Sequence, residues 1–138
     1  HHQTLLVKRS WSVFQKIDPV IVADVFYAKL FADSPSLRHM FPADMSAQYI
    51  KLVDMINMII VRLEHPSKLL GEVREMAKRH TGYGVKARHY DLVGRALLWT
   101  LEKGLGSDWT IDMQDAWKQC YADLCVVVLA TLKETEVH

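Results

Sequence analysis

The chain has 138 residues, with 17 Lys plus Arg against 16 Asp plus Glu and a formal net charge of +1. Half of it is hydrophobic and 24% is charged, the balance of one folded domain with its own core rather than of a disordered chain. So even a charge gives no electrostatic reason to bind nucleic acid or an acidic membrane surface, and the longest uncharged apolar runs, Met55 to Val61 and Leu124 to Leu132, fall well short of the ~20 residues that cross a bilayer.

Taken in chain order, His1 and His2 read as the end of a purification tag and are set aside. No signal-peptide pattern follows them. Apolar residues then recur at spacings of three and four, never in clear alternation, so every element reads as helix. The predicted helices cover residues 3–17, 20–34, 36–41, 46–64, 67–81, 87–104 and 110–134. Asp18 before Pro19 is the pattern of a cap followed by a first-turn proline, and Ser34 before Pro35 repeats it. Asp44 or Ser46 can open the fourth helix, and Asp108 or Thr110 the last. Gly104 suits a left-handed stop after Lys103. Cys120 and Cys125 lie five apart on the last helix and so point about 140° away from each other. They form no disulfide framework, which fits a reducing, cytoplasmic setting. With no repeat and no linker, residues 1–138 read as a single all-α domain. Its loops are too uneven for a simple four-helix bundle.

The informative anomalies are polar groups on faces that should be dry. His80 continues the stripe Leu69, Leu70, Val73, Met76, Ala77 and ends its helix at Thr81-Gly82-Tyr83-Gly84. Gln48 lies one turn upstream on the face of Leu52, Met55, Ile56, Ile59 and Leu63. Tyr27 falls among Val20, Ala23, Leu30 and Phe31. Singly, each has an ordinary explanation: a hydrogen-bonded core histidine, a tyrosine bonded to a carbonyl, a wet glutamine. Together they are three polar groups on three helices aimed at one interior, which a bound cofactor would satisfy. The chain has no His-Glu-x-x-His, no Cys-x-x-Cys, no glycine-rich phosphate loop and no Gly-x-Ser-x-Gly, so zinc, nucleotide and serine-hydrolase chemistry lack their residues. Haem needs only one protein ligand on an apolar wall, because its pyrrole nitrogens already hold the iron.

From about Thr4 to Leu132 these residues resemble the globins, and among them bacterial single-domain globins, the globin part of flavohaemoglobins, and neuroglobin. Ser10-Trp11 resembles the first-helix tryptophan signature. Phe26-Tyr27-Ala28-Lys29-Leu30-Phe31 with Pro35 is similar to the bacterial second helix and its corner. Phe41 falls at the corner phenylalanine, Gln48 at the distal position, and Leu52 at the apolar residue one turn on. Lys78-Arg79-His80-Thr81-Gly82-Tyr83-Gly84-Val85, with His89-Tyr90-Asp91-Leu92-Val93-Gly94, is the strongest match. Asp115-Ala116-Trp117 with Tyr121 resembles the last helix.

The resemblance implies a globin fold of six to seven helices around haem b (iron protoporphyrin IX). It makes His80 the proximal iron ligand, with its other N–H given to a backbone carbonyl of its own helix. Tyr27 and Gln48 become the distal pair that stabilises a bound gas. Phe41, Leu52, Met76, Val85, Tyr90 and Val93 become pocket contacts, and Lys51 a partner for a propionate. Arg79, Lys86 and Arg88 are weaker propionate partners. One hydrogen bond to a partly negative ligand is worth about 1.5–3 kcal/mol. The expected function is therefore tight, reversible O2 binding at a pentacoordinate iron, with reaction of NO and an external reductase as the chemistry beyond binding; CO would bind as well. The alternative is a haem-based gas or redox sensor acting through a partner. A deprotonated Tyr27 reaching the ferric iron is a further expectation. One departure stands out: flavohaemoglobin-like proteins brace the proximal histidine with a tyrosine and a glutamate. Tyr90 resembles that tyrosine, but an ungapped match from Trp117 puts Leu132 at the glutamate, with Glu134 out of phase.

Overall fold

Proline and glycine set the limits of the elements in the computed structural model, which describes residues 2–82 and 86–137, with side chains except at 2, 66, 81, 82 and 132–137. The order is α1 (His2–Phe14), α2 (Pro19–Asp33), a 3₁₀ segment (Pro35–Met40), α3 (Ser46–Val61), α4 (Pro66–Gly82), α5 (Ala87–Leu105), a 3₁₀ turn (Gly106–Asp108) and α6 (Ile111–Val137). No strand occurs among the described residues. Every predicted helix is present. α1 ends at Phe14 rather than 17 because the amides of Lys16 and Ile17 turn back to the carbonyls of Val13 and Phe14, tightening the exit into α2. α6 runs three residues beyond its expected end.

The caps divide into those that form and those that do not. The Asp18 carboxylate accepts from the Val20 amide at 2.9 Å, and Thr110 Oγ1 accepts from the Met113 amide at 3.1 Å. Asp44 receives both the amide and the hydroxyl of Ser46. Ser34 makes no cap bond; its hydroxyl faces that of Ser36. Gly104 is not the stop of α5. The helix runs on to Leu105, and Gly106, with φ of +55°, ends it. Gly104 instead lets a ring approach: a Cβ there would run into the Phe14 side chain.

The main core joins α1, α2, α3, α5 and α6. Val7, Ala23, Leu30, Ala96 and Leu101 are almost wholly buried, each large aliphatic group contributing about 1.5–3 kcal/mol of transfer free energy. α2 lies across α3 and α5, and α1 lies on α6. Two indole bonds pin this arrangement: Trp11 Nε1 donates to Asn57 Oδ1 at 2.6 Å, and Trp117 Nε1 to Ser10 Oγ at 2.7 Å. α4 stands apart. It packs on α6 and forms a second, smaller cluster in which Val73 and Ala77 meet Tyr90 and Val128. Among the described residues α4 does not pack closely on its neighbour α3. An ion pair from Arg62 to Glu72 at 2.9 Å links them at one end. The fold thus carries Tyr27 and Gln48 on α2 and α3, and His80 on α4 beside Tyr90 of α5.

Candidate functional site

On the first face Tyr27 is only 4% exposed. α2 presents it beside Gln48, near the start of α3, whose Nε2 donates to the Tyr27 oxygen at 3.0 Å. The hydroxyl oxygen is therefore an acceptor, and its proton is given to nothing among the described residues. Burial raises the phenol above its ordinary value, and the Gln48 bond offsets this only in part. Without a metal beside it, Tyr27 is therefore a neutral phenol at neutral pH.

An aromatic nest fixes that hydroxyl. Tyr27 meets the rings of Phe26, Phe31, Phe41 and Tyr49 at centroid distances of 5.0, 5.7, 5.5 and 5.6 Å, contacts worth about 0.5–1.5 kcal/mol each beyond their buried area. Tyr49 in turn donates to Asp24 Oδ1 at 3.0 Å. Phe41 is held from behind by Arg38, which donates to the carbonyls of Phe41, Pro42 and Ala43. Leu52 is buried one turn beyond Gln48, and Lys51 beside it is exposed. Sequence reasoning missed Tyr49 and Arg38. Tyr49 gave a faint signal as an aromatic next to Gln48; Arg38 gave none.

On the second face the last turn of α4, which runs on to Gly82, carries His80, half-buried and turned toward Tyr90 of α5. Its Nδ1 lies 3.2 Å from the Tyr90 hydroxyl, not against a carbonyl of its own helix as expected. The reason is register: α5 brings the Tyr90 hydroxyl within hydrogen-bond distance of the imidazole. Nε2 makes no hydrogen bond among the described residues. Burial first, and the charge of Arg79 second, hold the imidazole below its usual pKa. Burial pushes Tyr90 up to about 12, so it faces His80 as a neutral hydroxyl. Tyr121 donates to the Tyr90 carbonyl. Its ring can come so close only because residue 94 is glycine, where a Cβ would meet it at 2.7 Å.

No carboxylate bonds to Tyr90 among the described residues. The side chains of Leu132 and Glu134, and the whole of Val85, lie outside them. Met76 belongs to the α4 cluster and Val93 to the edge of the main core. His89, left unassigned from sequence, caps α5: its Nδ1 accepts from the Lys86 amide at 2.9 Å. A cavity of about 590 Å³ between α3 and α4, with Met58, Gly71, Glu75 and Arg79 in its lining, includes none of Tyr27, Gln48 and His80.

The donor chemistry fits a single-ligand prosthetic group. One unpartnered imidazole nitrogen sits on one face, and one unused hydroxyl proton on the other. No group of three His, Cys, Asp or Glu side chains that could hold an ion by themselves occurs among the described residues. Comparison with known proteins decides the family, since the globin family model matches residues 24–128. The chain belongs to the globin family. It is a haem globin with the all-α globin fold. A flavohemoprotein of Bordetella pertussis is 30% identical over 107 residues, 75% of this chain and 27% of that protein. One of Vibrio cholerae is 24% identical over 127 residues, 90% of this chain and 32% of that protein. The chain thus spans about a third or less of these relatives. A bacterial globin of Campylobacter jejuni superposes with a TM-score of 0.83 at 23% identity, covering 99% of both chains. An engineered carbene transferase, made from a candidate nitric oxide dioxygenase of Rhodothermus marinus, superposes with a TM-score of 0.82 at 29% identity, covering 99% of this globin and 94% of that chain. No described helix is long and apolar enough to cross a membrane.

Proposed function

We propose that this globin, folded as one domain over residues 1–138, binds O2 reversibly and tightly at a pentacoordinate haem b and turns it over with NO. The haem supplies the gas-binding iron. His80 holds it through Nε2, with Nδ1–H directed at Tyr90. Phe41, Leu52, Met76, Tyr90 and Val93, with Val85 from outside the described residues, would be the apolar contacts of the haem, and Lys51 would pair with a propionate. The reading rests above all on the Gln48 to Tyr27 bond at 3.0 Å. Because Gln48 donates, Tyr27 must give its own proton elsewhere. A diatomic ligand with partial negative charge is an acceptor of the kind that proton would suit. The bond also polarises the phenol, which makes it a better donor. Gln48 has no imidazole with which to occupy the sixth iron position, so that position stays open to gas.

Nitric oxide dioxygenation consumes one NO, one O2 and one electron to give nitrate. The chain's part is to hold O2 against escape while NO arrives, and an external cytoplasmic reductase supplies the electron. The name of the flavohemoprotein relatives and the Rhodothermus neighbour support this direction. The test is to record absorption spectra of the ferric, ferrous and oxygenated protein, then mix the oxygenated protein with NO in a stopped-flow instrument. The expected outcome is a five-coordinate ferrous spectrum, followed by rapid stoichiometric nitrate and ferric protein. A six-coordinate ferrous spectrum, or no nitrate, overturns the reading.

A further inference from the structure

Tyr49 is a tyrosine that the proposed gas chemistry leaves unused. It follows Gln48 on α3 and is half-buried. Its ring stacks on that of Tyr27, with centroids 5.6 Å apart and 14° between the planes. Its hydroxyl donates to Asp24 Oδ1 at 3.0 Å, and Asp24 is exposed on α2. The stack therefore runs from a phenol that is only 4% exposed to one bonded to a carboxylate at the surface. Burial first, then the Asp24 bond, raise the Tyr49 pKa, so the proton stays on oxygen until an electron leaves the ring.

A phenol that loses an electron becomes a strong acid, so a tyrosine is oxidised readily only where a base takes its proton at once. A carboxylate already in a charge-assisted hydrogen bond is such a base. Among the described tyrosines this pairing belongs to Tyr49. The Tyr27 oxygen accepts from Gln48, Tyr121 donates to a carbonyl, and Tyr90 meets an imidazole nitrogen that the haem reading leaves protonated. Two stacked rings also give an electron a short path, because tunnelling falls off steeply with distance.

We propose that Tyr27 and Tyr49 form an electron relay, with Asp24 as its proton acceptor, through which a small hydrogen-atom donor in solution, such as ascorbate, quenches an oxidant formed in the pocket. The oxidant is hydrogen peroxide acting at the ferric haem, so the inference rests on the haem reading above. Tyr49 gives one electron, through the stacked Tyr27 ring, to the peroxide-oxidised haem. Its O–H bond breaks and the proton passes to Asp24 Oδ1. The donor then returns one electron and one proton to the Tyr49 oxygen, and Asp24 releases its proton to water. Two such turns reduce one peroxide to two waters and leave two donor radicals. The two protons that Asp24 releases match the two that peroxide reduction consumes.

The test mixes the ferric full-length protein with one equivalent of hydrogen peroxide and freezes it for electron paramagnetic resonance. A neutral tyrosyl signal is expected that Tyr49→Phe removes and that Trp99→Phe, at a half-buried aromatic on α5, leaves in place. A signal unchanged in shape and yield in Tyr49→Phe, or one lost in Trp99→Phe, overturns the relay. Ascorbate should then restore the ferric spectrum roughly tenfold more slowly in Asp24→Asn than in the parent, the weight of one charge-assisted hydrogen bond. Equal rates overturn the role of Asp24. Thermal unfolding checks that each variant folds. If the chain proves to carry no haem, photogenerated tris(bipyridyl)ruthenium(III) oxidises the haem-free protein instead. The tyrosyl absorption that Tyr49→Phe deletes should then form roughly tenfold more slowly in Asp24→Asn. That result would uphold the pair and overturn only its use against peroxide, whereas no Tyr49 radical with either oxidant overturns the relay itself.

Discussion

The surroundings of Tyr27 and of His80 are built to different standards. Tyr27, on the side proposed to face the gas, is gripped by four aromatic rings and one hydrogen bond, with Arg38 fastening the corner behind it. His80, the proposed iron ligand, meets a single neutral hydroxyl at 3.2 Å, supported by a small cluster of Val73, Ala77 and Val128. A carboxylate acting through Tyr90 would draw the imidazole proton away and make the ligand more electron-rich. A phenol pushed up to about 12 does this only weakly. On the proposed function, the contrast is that of a protein that would invest its rigidity in holding a ligand and leave the iron's tether electronically mild.

Breaking the mild side at its root should have the largest effect. His80→Ala removes the unpartnered nitrogen that the site presents. It should abolish stable haem retention after gel filtration, while circular dichroism keeps the helical signal of α1 to α6. An unaltered coloured complex would show that another residue holds the iron. Next comes Tyr27→Phe, which keeps the ring in its aromatic nest and deletes only the O–H. Losing a bond worth about 1.5–3 kcal/mol should speed oxygen release by roughly ten- to a hundredfold, read by stopped-flow displacement with CO. The nest makes this a clean deletion, because the four ring contacts hold phenylalanine where tyrosine stood.

How much of this contrast was legible beforehand depends on what carried it. The helices could be read because their stripes have a helical period and Asp18-Pro19 marks a start. His80, Tyr27 and Gln48 stood out because each put a polar group on an apolar face, a local property of one helix. What could not be read were relations between helices. That His80 turns to Tyr90 rather than to its own backbone depends on the register of α4 over α5. Gly104 looked like a stop, yet it is a seat for the Phe14 ring, and nothing near Gly104 in sequence announces Phe14. Asn57, on the outer side of α3, acquires meaning only because α1 brings Trp11 to it. Long-range partners such as Tyr121 with Tyr90, or Trp117 with Ser10, are fixed by packing and leave no periodic trace.

Two smaller substitutions sharpen the comparison from either side. Gln48→Leu leaves Tyr27 without its donor but keeps the phenol proton for the ligand. Release should rise only about three- to tenfold, the share of one net neutral hydrogen bond of about 0.5–1.5 kcal/mol. An effect as large as that of Tyr27→Phe would mean that Gln48 contacts the ligand directly. On the other side, Tyr90→Phe removes the only partner of His80 Nδ1 among the described residues. Since that partner is neutral, the iron–histidine stretching band in resonance Raman spectra should move little, and oxygen release should change by less than about threefold. A large downshift of the band would reveal that Tyr90 acts as an anion relay, linked to an acidic group beyond the described residues.

The smallest effect concerns the helix that carries Tyr90. His89 at the third position of α5 accepts the Lys86 amide through Nδ1, which requires an unprotonated nitrogen. Burial first, then the charges of Arg88 and Lys86, depress its pKa in the folded chain. As pH falls through about 6.5, the unfolded chain takes up a proton that the folded chain refuses, so stability drops toward acid. Once protonated, Nδ1 becomes a donor facing another donor, and the cap bond of about 0.5–1.5 kcal/mol is lost. His89→Gln separates this from every other titration. Glutamine at the same position reaches back to the cap amide through an oxygen that does not titrate. The variant should match the parent in urea unfolding near neutral pH and lose less stability at mildly acidic pH. Parallel curves for the two proteins would place the acid sensitivity elsewhere, at His80 and the face it shares with Arg79.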